Sequence, residues 1–147
     1  MSVYRLDIVR TKVSDDQARA VRTAKAAAEY FRKYCFDAAS MWRESFWCLA
    51  VSAASMPLGH FLVATGGPSA VSVNQKAVLM AAAMSGADGV VLCHNHPSGD
   101  PTPGRHDIEM TGDLRKALAA IDVKLLDHLV LADGKAFSFS ENIIIKA

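Results

Sequence analysis

Gly89-Val90-Val91-Leu92-Cys93 is a continuous apolar run with no polar side chain in it. A strand with one wet face alternates apolar and polar residues, so an unbroken run belongs to a strand covered on both faces. Such a strand needs a sheet with helices packed on each side. The expected fold class is therefore α/β, a mixed sheet with flanking helices.

The segments on either side fit that plan. Val3 to Val9 alternates as an edge strand does. Asp15 to Tyr34 reads as a helix, with Asp15 and Asp16 at its N-terminal end and apolar residues at Val21, Ala24, Ala28 and Phe31. Ser45 to Ser52 and His60 to Thr65 are strands joined by a turn over Met56-Pro57-Leu58-Gly59, and Gly66-Gly67-Pro68 ends the hairpin. Val73 to Ser85 is apolar on most sides and is expected to be a helix buried in the core, Met80 and Met84 included, with Gly86 as its stop. Asp107 to Ile121 is a second amphipathic helix, whose stripe is Ile108, Thr111, Leu114, Leu118 and Ile121. Val123 to Leu131 and Lys135 to Phe139 are strands, and Ile143 to Ile145 adds an edge. Residues 1–40 are expected to form an N-terminal extension of one strand and one helix, and 41–147 the main domain, compact as a whole.

Bulk properties narrow the function classes. Formal net charge is +1, which gives no electrostatic case for a nucleic-acid partner and leaves a local basic patch open. The basic residues of the first helix, Arg19, Arg22, Lys25, Arg32 and Lys33, are interspersed as on a solvated face. No apolar run is long enough to span a membrane, and the N-terminus lacks a signal-peptide core. Cys35, Cys48 and Cys93 are odd in number and show no C-x-x-C spacing, which suits reduced, buried thiols and a cytoplasmic protein. Edge strands at Val3–Val9 or Ile143–Ile145 offer surfaces for a homo-oligomer.

The chemistry lies just after the apolar run, in Cys93-His94-Asn95-His96-Pro97-Ser98-Gly99-Asp100-Pro101-Thr102-Pro103-Gly104-Arg105-His106-Asp107. In extended chain, residues i and i+2 point the same way, so His94 and His96 can grip one ion while Asn95 faces away. Thr102 suits a helix N-cap and Pro103 a first helical position, which would place Asp107 about one turn into the helix. Two imidazoles and a carboxylate suit zinc and leave a fourth tetrahedral position for water. Hydrolysis also needs a carboxylate that takes a proton from the water and hands it on. Glu44, at the start of a strand entering the core, is the candidate. His106 points away on its helix, and His60 is given no role. Cys93 is core, and Trp42 and Trp47 pack beside Glu44. The H-x-E…P-C-x-x-C pattern of nucleic-acid deaminases is absent.

The stretch HNHPSGDPTP with Asp107, together with Arg43-Glu44-Ser45-Phe46 and Leu125-Leu126-Asp127-His128-Leu129-Val130, resembles the JAB/MPN metalloprotease family, in particular its RadC-like branch. The likeness runs from about Arg43 to Ser140. It implies a cytidine-deaminase-like α/β fold, one zinc ion per chain held by His94, His96 and Asp107, and Glu44 as general acid/base. It implies hydrolysis of a peptide or isopeptide bond in a peptide or protein substrate. Asp127 and His128 are candidates for support behind the ligands. The family usually has serine, an oxyanion donor, at the position held here by Gly104; a backbone N–H or Ser98 is the candidate replacement. The alternative is a zinc-stabilised binding domain without catalysis, in DNA-repair or mobile-element biology. Longer RadC-like proteins carry a helix-hairpin-helix region, and the first 40 residues here show no such motif.

Overall fold

The computed structural model describes residues 1–5, 7, 9, 11–12, 19–66 and 72–147. The described part of Val3 to Val9 is exposed and forms no strand; Leu6 and Ile8 lie outside the described residues. Asp15 and Asp16, expected to open the first helix, also lie outside them. Helix α1 (Ala24–Tyr34) starts later than expected because Thr23 is extended and its hydroxyl accepts from Ala26 N–H, an N-cap.

Among the described residues, six strands follow in one sheet: β1 (Ser45–Val51), β2 (Pro57–Thr65), β3 (Gly89–Asn95), β4 (Lys124–Ala132), β5 (Lys135–Ser138) and β6 (Ile143–Lys146). Their spatial order is β2-β1-β3-β4-β5-β6. Of these six strands β3 and β4 pair in parallel and the other neighbours antiparallel, and helix α3 (Arg105–Ala119) makes the crossover between β3 and β4. The expected α/β class, a mixed sheet with flanking helices, is what the chain forms. β3 is buried at all seven positions, as its apolar run requires, and the strand extends through His94 and Asn95 before the loop begins.

The two sides of the sheet are covered separately. On one side, Ala24, Ala28 and Phe31 of α1 pack with Leu49, Val51, Val91 and Leu129. On the other, α2 (Gln75–Ser85) and α3 bring Val78, Ala82, Leu114 and Leu118 against Phe46, Cys48, Val90 and Leu92. Alternation along β3 divides its side chains between the two cores. Cys48 and Cys93 are buried and Cys35 partly so; all three are free, and burial pushes the Cys48 thiol up to about 12.

Two helical expectations change. α2 is buried along one face rather than engulfed: Val78, Ala81 and Ala82 are buried, while Met80 and Met84 are about half exposed, at 49% and 48%. A helix on the outside of a sheet has only one face to bury, and small alanines here fill the contact side. α3 starts at Arg105 with Gly104 as its N-cap, not Thr102, and its buried stripe narrows to Thr111, Leu114 and Leu118, leaving Ile108 and Ile121 exposed. Gly86, left-handed at φ +66°, ends α2 as expected.

Phe31 is fully buried between α1 and the sheet. Phe31→Ala is expected to lower stability by about 3–5 kcal/mol, read as a reduced urea midpoint in one cooperative transition. A separate early transition for α1 would show that the helix is not integral to the sheet's core.

Candidate metal centre

The parallel pairing of β3 and β4, with β1 on the other flank of β3, gathers four polar side chains at one end of the sheet. Phe46 stands opposite His94, and His94 opposite Val130. Glu44 lies one residue before β1, His94 is in β3, and His96 follows β3 with its N–H still donating to Leu131 O. Asp107 sits in the first turn of α3. Glu44, His94 and His96 offer ligand atoms that all lie within 4.8 Å of one another. Asp107 closes the group: its Oδ1 is 3.4 Å from His94 Nε2 and its Oδ2 is 3.5 Å from His96 Nε2.

Hydrogen bonds around the group decide what it can hold. Thr111 has one hydroxyl proton and donates it to the Asp107 carbonyl at 2.6 Å. Its oxygen therefore accepts from His128 Nδ1, also at 2.6 Å. Burial pushes the pKa of His128 well below the ordinary histidine value, with His94 adding to the effect, so the ring is neutral. Neutral His128 then accepts on Nε2 from His94 Nδ1 at 2.8 Å. His94 is left with a lone pair on Nε2. His96 Nδ1 donates to the Asp100 carbonyl at 2.9 Å, which leaves its Nε2 as a lone pair too. Gly99, at φ +85°, makes the turn that brings that carbonyl back to the ring.

The two Nε2 atoms face each other at 3.0 Å, with both Asp107 oxygens beside them. Such an arrangement repels itself unless a cation lies at its centre. Burial opposes a charge on His96, yet the Asp107 carboxylate, the Asp100 carbonyl and Glu44 outweigh it and raise the pKa. Burial likewise opposes the charge of Asp107, but His94, His96 and the Gly104 N–H hold it far below the usual carboxylate range. A proton and a metal ion thus compete for one electron-rich centre. The separations of 3.0, 3.4 and 3.5 Å lie near the edge of a ligand tetrahedron with bonds of about 2.0–2.1 Å, which is roughly 3.3 Å. Glu44 Oε1 stands slightly farther out, 3.7 Å from His96 Nε2. The residues fit a metal ion.

The match to family models agrees with this geometry. Residues 21–144 match the model described as a RadC-like JAB domain. The chain belongs to that family. This RadC-like JAB domain is 31% identical over 132 residues to a UPF0758 protein of Coprothermobacter proteolyticus, covering 88% of the chain and 55% of that protein. It is 33% identical over 125 residues to a UPF0758 protein of Aquifex aeolicus, covering 85% and 52%. With a UPF0758 protein of Stenotrophomonas maltophilia it shares 45% over 76 residues, 52% of the chain and 32% of that protein. The domain thus spans about half the length of the first two relatives. No helix among its described residues is long and apolar enough to cross a membrane.

The remaining predicted residues of the RadC-like domain fall in distinct places. His128 is fully buried behind His94 and stacks on Phe139 at 4.9 Å, while Phe46 stacks on His94 at 5.9 Å. Asp127 faces away from it. Its carboxylate accepts from Ser138 Oγ and from the N–H groups of His128 and Ser140, which ties β4 to the end of β5. Ser98 is exposed and its hydroxyl accepts from Asp100 N–H inside its own turn. Gly104 has no side chain to cap α3, and its N–H donates to Asp107 Oδ2 at 2.7 Å. His106 is exposed, and Trp42 is 58% exposed with the Arg43 guanidinium 4.1 Å from its ring centre. His60 accepts or donates through Nδ1 to Tyr30 Oη, remote from β3.

Sequence reasoning missed Thr111 and Asn95. In the sequence Thr111 reads as one member of an apolar stripe. The available signal is a hydroxyl on the buried face about one turn after a candidate ligand, where it can bond the carbonyl four residues back. Thr111→Val keeps the shape but leaves His128 Nδ1–H without an acceptor. Affinity for an added divalent metal ion is expected to fall about 10–100-fold, measured by competition with a chromophoric chelator, with the fold retained by circular dichroism. Unchanged affinity would show that the chain Thr111–His128–His94 does not set the ligand.

Proposed function

We propose that this domain is a zinc-dependent hydrolase of peptide or isopeptide bonds. The observation that carries the reading is the convergence of two imidazole lone pairs and the Asp107 carboxylate at near-tetrahedral separations, with the Glu44 carboxylate beside them. Two nitrogens and one carboxylate suit zinc, one ion per chain, with a position left open. When bound there, zinc lowers the pKa of water toward neutrality and polarises a carbonyl.

Each residue then has a role in the reading. His94, His96 and Asp107 hold the ion, and His128 with Thr111 keeps the His94 ring turned. Glu44 takes a proton from the attacking water as a C–O bond forms, and delivers it to the nitrogen as the C–N bond breaks. Glu44 is 8% exposed, so its carboxylate works in a space shielded from bulk water. Exposed Trp42, two residues before Glu44, and exposed Ile108, next to Asp107, offer apolar surface for an extended peptide or protein substrate. A net charge of +1 gives no support to a nucleic-acid substrate.

A second reading is a zinc-stabilised binding domain without turnover. Gly104 favours it, because the residue carries no hydroxyl and its N–H is engaged by Asp107. Its backbone, at φ −78°, accepts any residue, and an added Cβ would meet Asp107 Oδ2 at an ordinary 3.5 Å.

Elemental analysis is expected to find one zinc per chain, lost in the His94→Ala/His96→Ala double variant, and chelation is expected to lower Tm. Glu44→Gln should keep its zinc and lose at least 10²-fold in turnover of a fluorogenic peptide-amide library, an effect of the order that general acid–base catalysis supplies. Equal turnover by the two proteins would remove Glu44 from the mechanism. Gly104→Ser is expected to add a few tenths of a kcal/mol as a better N-cap and to raise turnover at unchanged zinc affinity. Zinc-dependent Tm without turnover in either protein would decide for the binding domain.

A further inference from the structure

Asn95 stands between the two histidines and is fully buried, on the opposite side of the strand from His94. Its carboxamide is used at both ends. Oδ1 accepts from Ser45 N–H at 2.8 Å. Nδ2 donates to Arg43 O at 2.9 Å and to Met41 O at 3.3 Å. The partners force this orientation, since an N–H needs an acceptor and two carbonyls need donors. Ser45 N and Arg43 O are the backbone groups on either side of Glu44. Regular pairing of β1 with β3 ends at Phe46 opposite His94. Beyond that point the Asn95 side chain replaces the missing backbone partner. On the far flank, Glu44 O accepts from Gly66 N–H at 2.8 Å.

We propose that Asn95 is a positioning residue for Glu44: its carboxamide clamps the chain before and after Glu44 and so fixes that carboxylate beside the metal centre. The inference rests on the reading of Glu44 as the proton carrier. Metal ligands and proton carrier come from different chain segments, and their separation must hold to a fraction of an ångström for proton transfer. One tripeptide achieves this. His94 and His96 face the ion while Asn95, between them, reaches through the sheet's end to hold the 41–45 segment. A buried amide whose two shortest hydrogen bonds flank one carboxylate-bearing residue is more than filler, because a leucine would pack as well and clamp nothing.

The test uses the full chain with zinc and two variants. Asn95→Ala removes the clamp; Asn95→Asp keeps the acceptor for Ser45 N–H and deletes both donors, and is the variant to use if the alanine chain does not fold. In the native protein, zinc is expected to shift the Glu44 carboxyl carbon resonance in 13C NMR. In the variants that zinc-induced shift is expected to be lost or markedly reduced, while zinc affinity stays within about threefold. Turnover is expected to drop about 10²-fold in kcat with KM little changed, the size of effect that a displacement of about 1 Å produces. In a Glu44→Gln background the Asn95 substitution should cost nothing further. A Glu44 resonance that still responds to zinc as in the native chain, or zinc affinity that falls in parallel with turnover, would overturn the proposal. Turnover that survives Glu44→Gln would defeat the proton-carrier reading instead, and the resonance would still report whether Asn95 holds Glu44.

Discussion

The burial of β3 on both faces, between an antiparallel neighbour on one edge and a parallel one on the other, governs the rest of the molecule. Parallel pairing with β4 requires a crossover, and the crossover is α3. Its first turn therefore returns to the end of β3, where Asp107 meets His94 and His96. Antiparallel pairing with β1 brings the start of that strand to the same end, and Glu44 with it. The polar cluster arises where β1 begins, β3 ends and α3 starts, at one end of a buried sheet. Its members share a low-dielectric setting in which their mutual repulsion and their attraction for a cation are both strong.

That setting explains why the cluster is surrounded by neutral hydrogen-bonding groups. The line from the Asp107 carbonyl through Thr111 and His128 to His94 assigns every proton along it. Burial keeps His128 neutral, so it can accept from His94 and turn the lone pair of His94 toward the centre. Phe46 and Phe139 stack on the two rings and leave them little room to rotate. The Asp100 carbonyl does the same for His96 from the loop side. Metal affinity and folding are coupled through these groups, because none is arranged this way in an unfolded chain.

The same economy shows at Asn95 and Gly104. Asn95 joins two elements that regular sheet bonding has stopped joining. Gly104 caps α3 only through its backbone, and the helix instead relies on Asp107 Oδ2 as acceptor for the Gly104 N–H. Asp107 therefore serves the helix terminus and the cluster at once. Favourable interaction of a carboxylate with a helix N-terminus helps keep it charged there.

The sequence by itself determined the class of fold, most of its strands and the main members of the cluster. A short apolar run bounded by Gly89 and a polar loop suits a doubly covered strand, and His-x-His after it places two imidazoles on one side; both are local facts of strand geometry. Local pattern could not tell which face of α2 met the sheet, and on α3 it gave the right face but a stripe wider than the buried Thr111, Leu114 and Leu118. Met80, Met84, Ile108 and Ile121 look like core in composition, yet the contact surface of a sheet admits only one side of each helix. It also could not place the start of α1 at Thr23 or that of α3 at Gly104. Thr111, His128 and Asn95 gained their partners from elements 17, 34 and 50 residues apart in the chain. Those bonds exist only once β1, β3, α3 and β4 pack, because a hydrogen bond between distant segments is decided by tertiary register and not by any neighbour in the sequence.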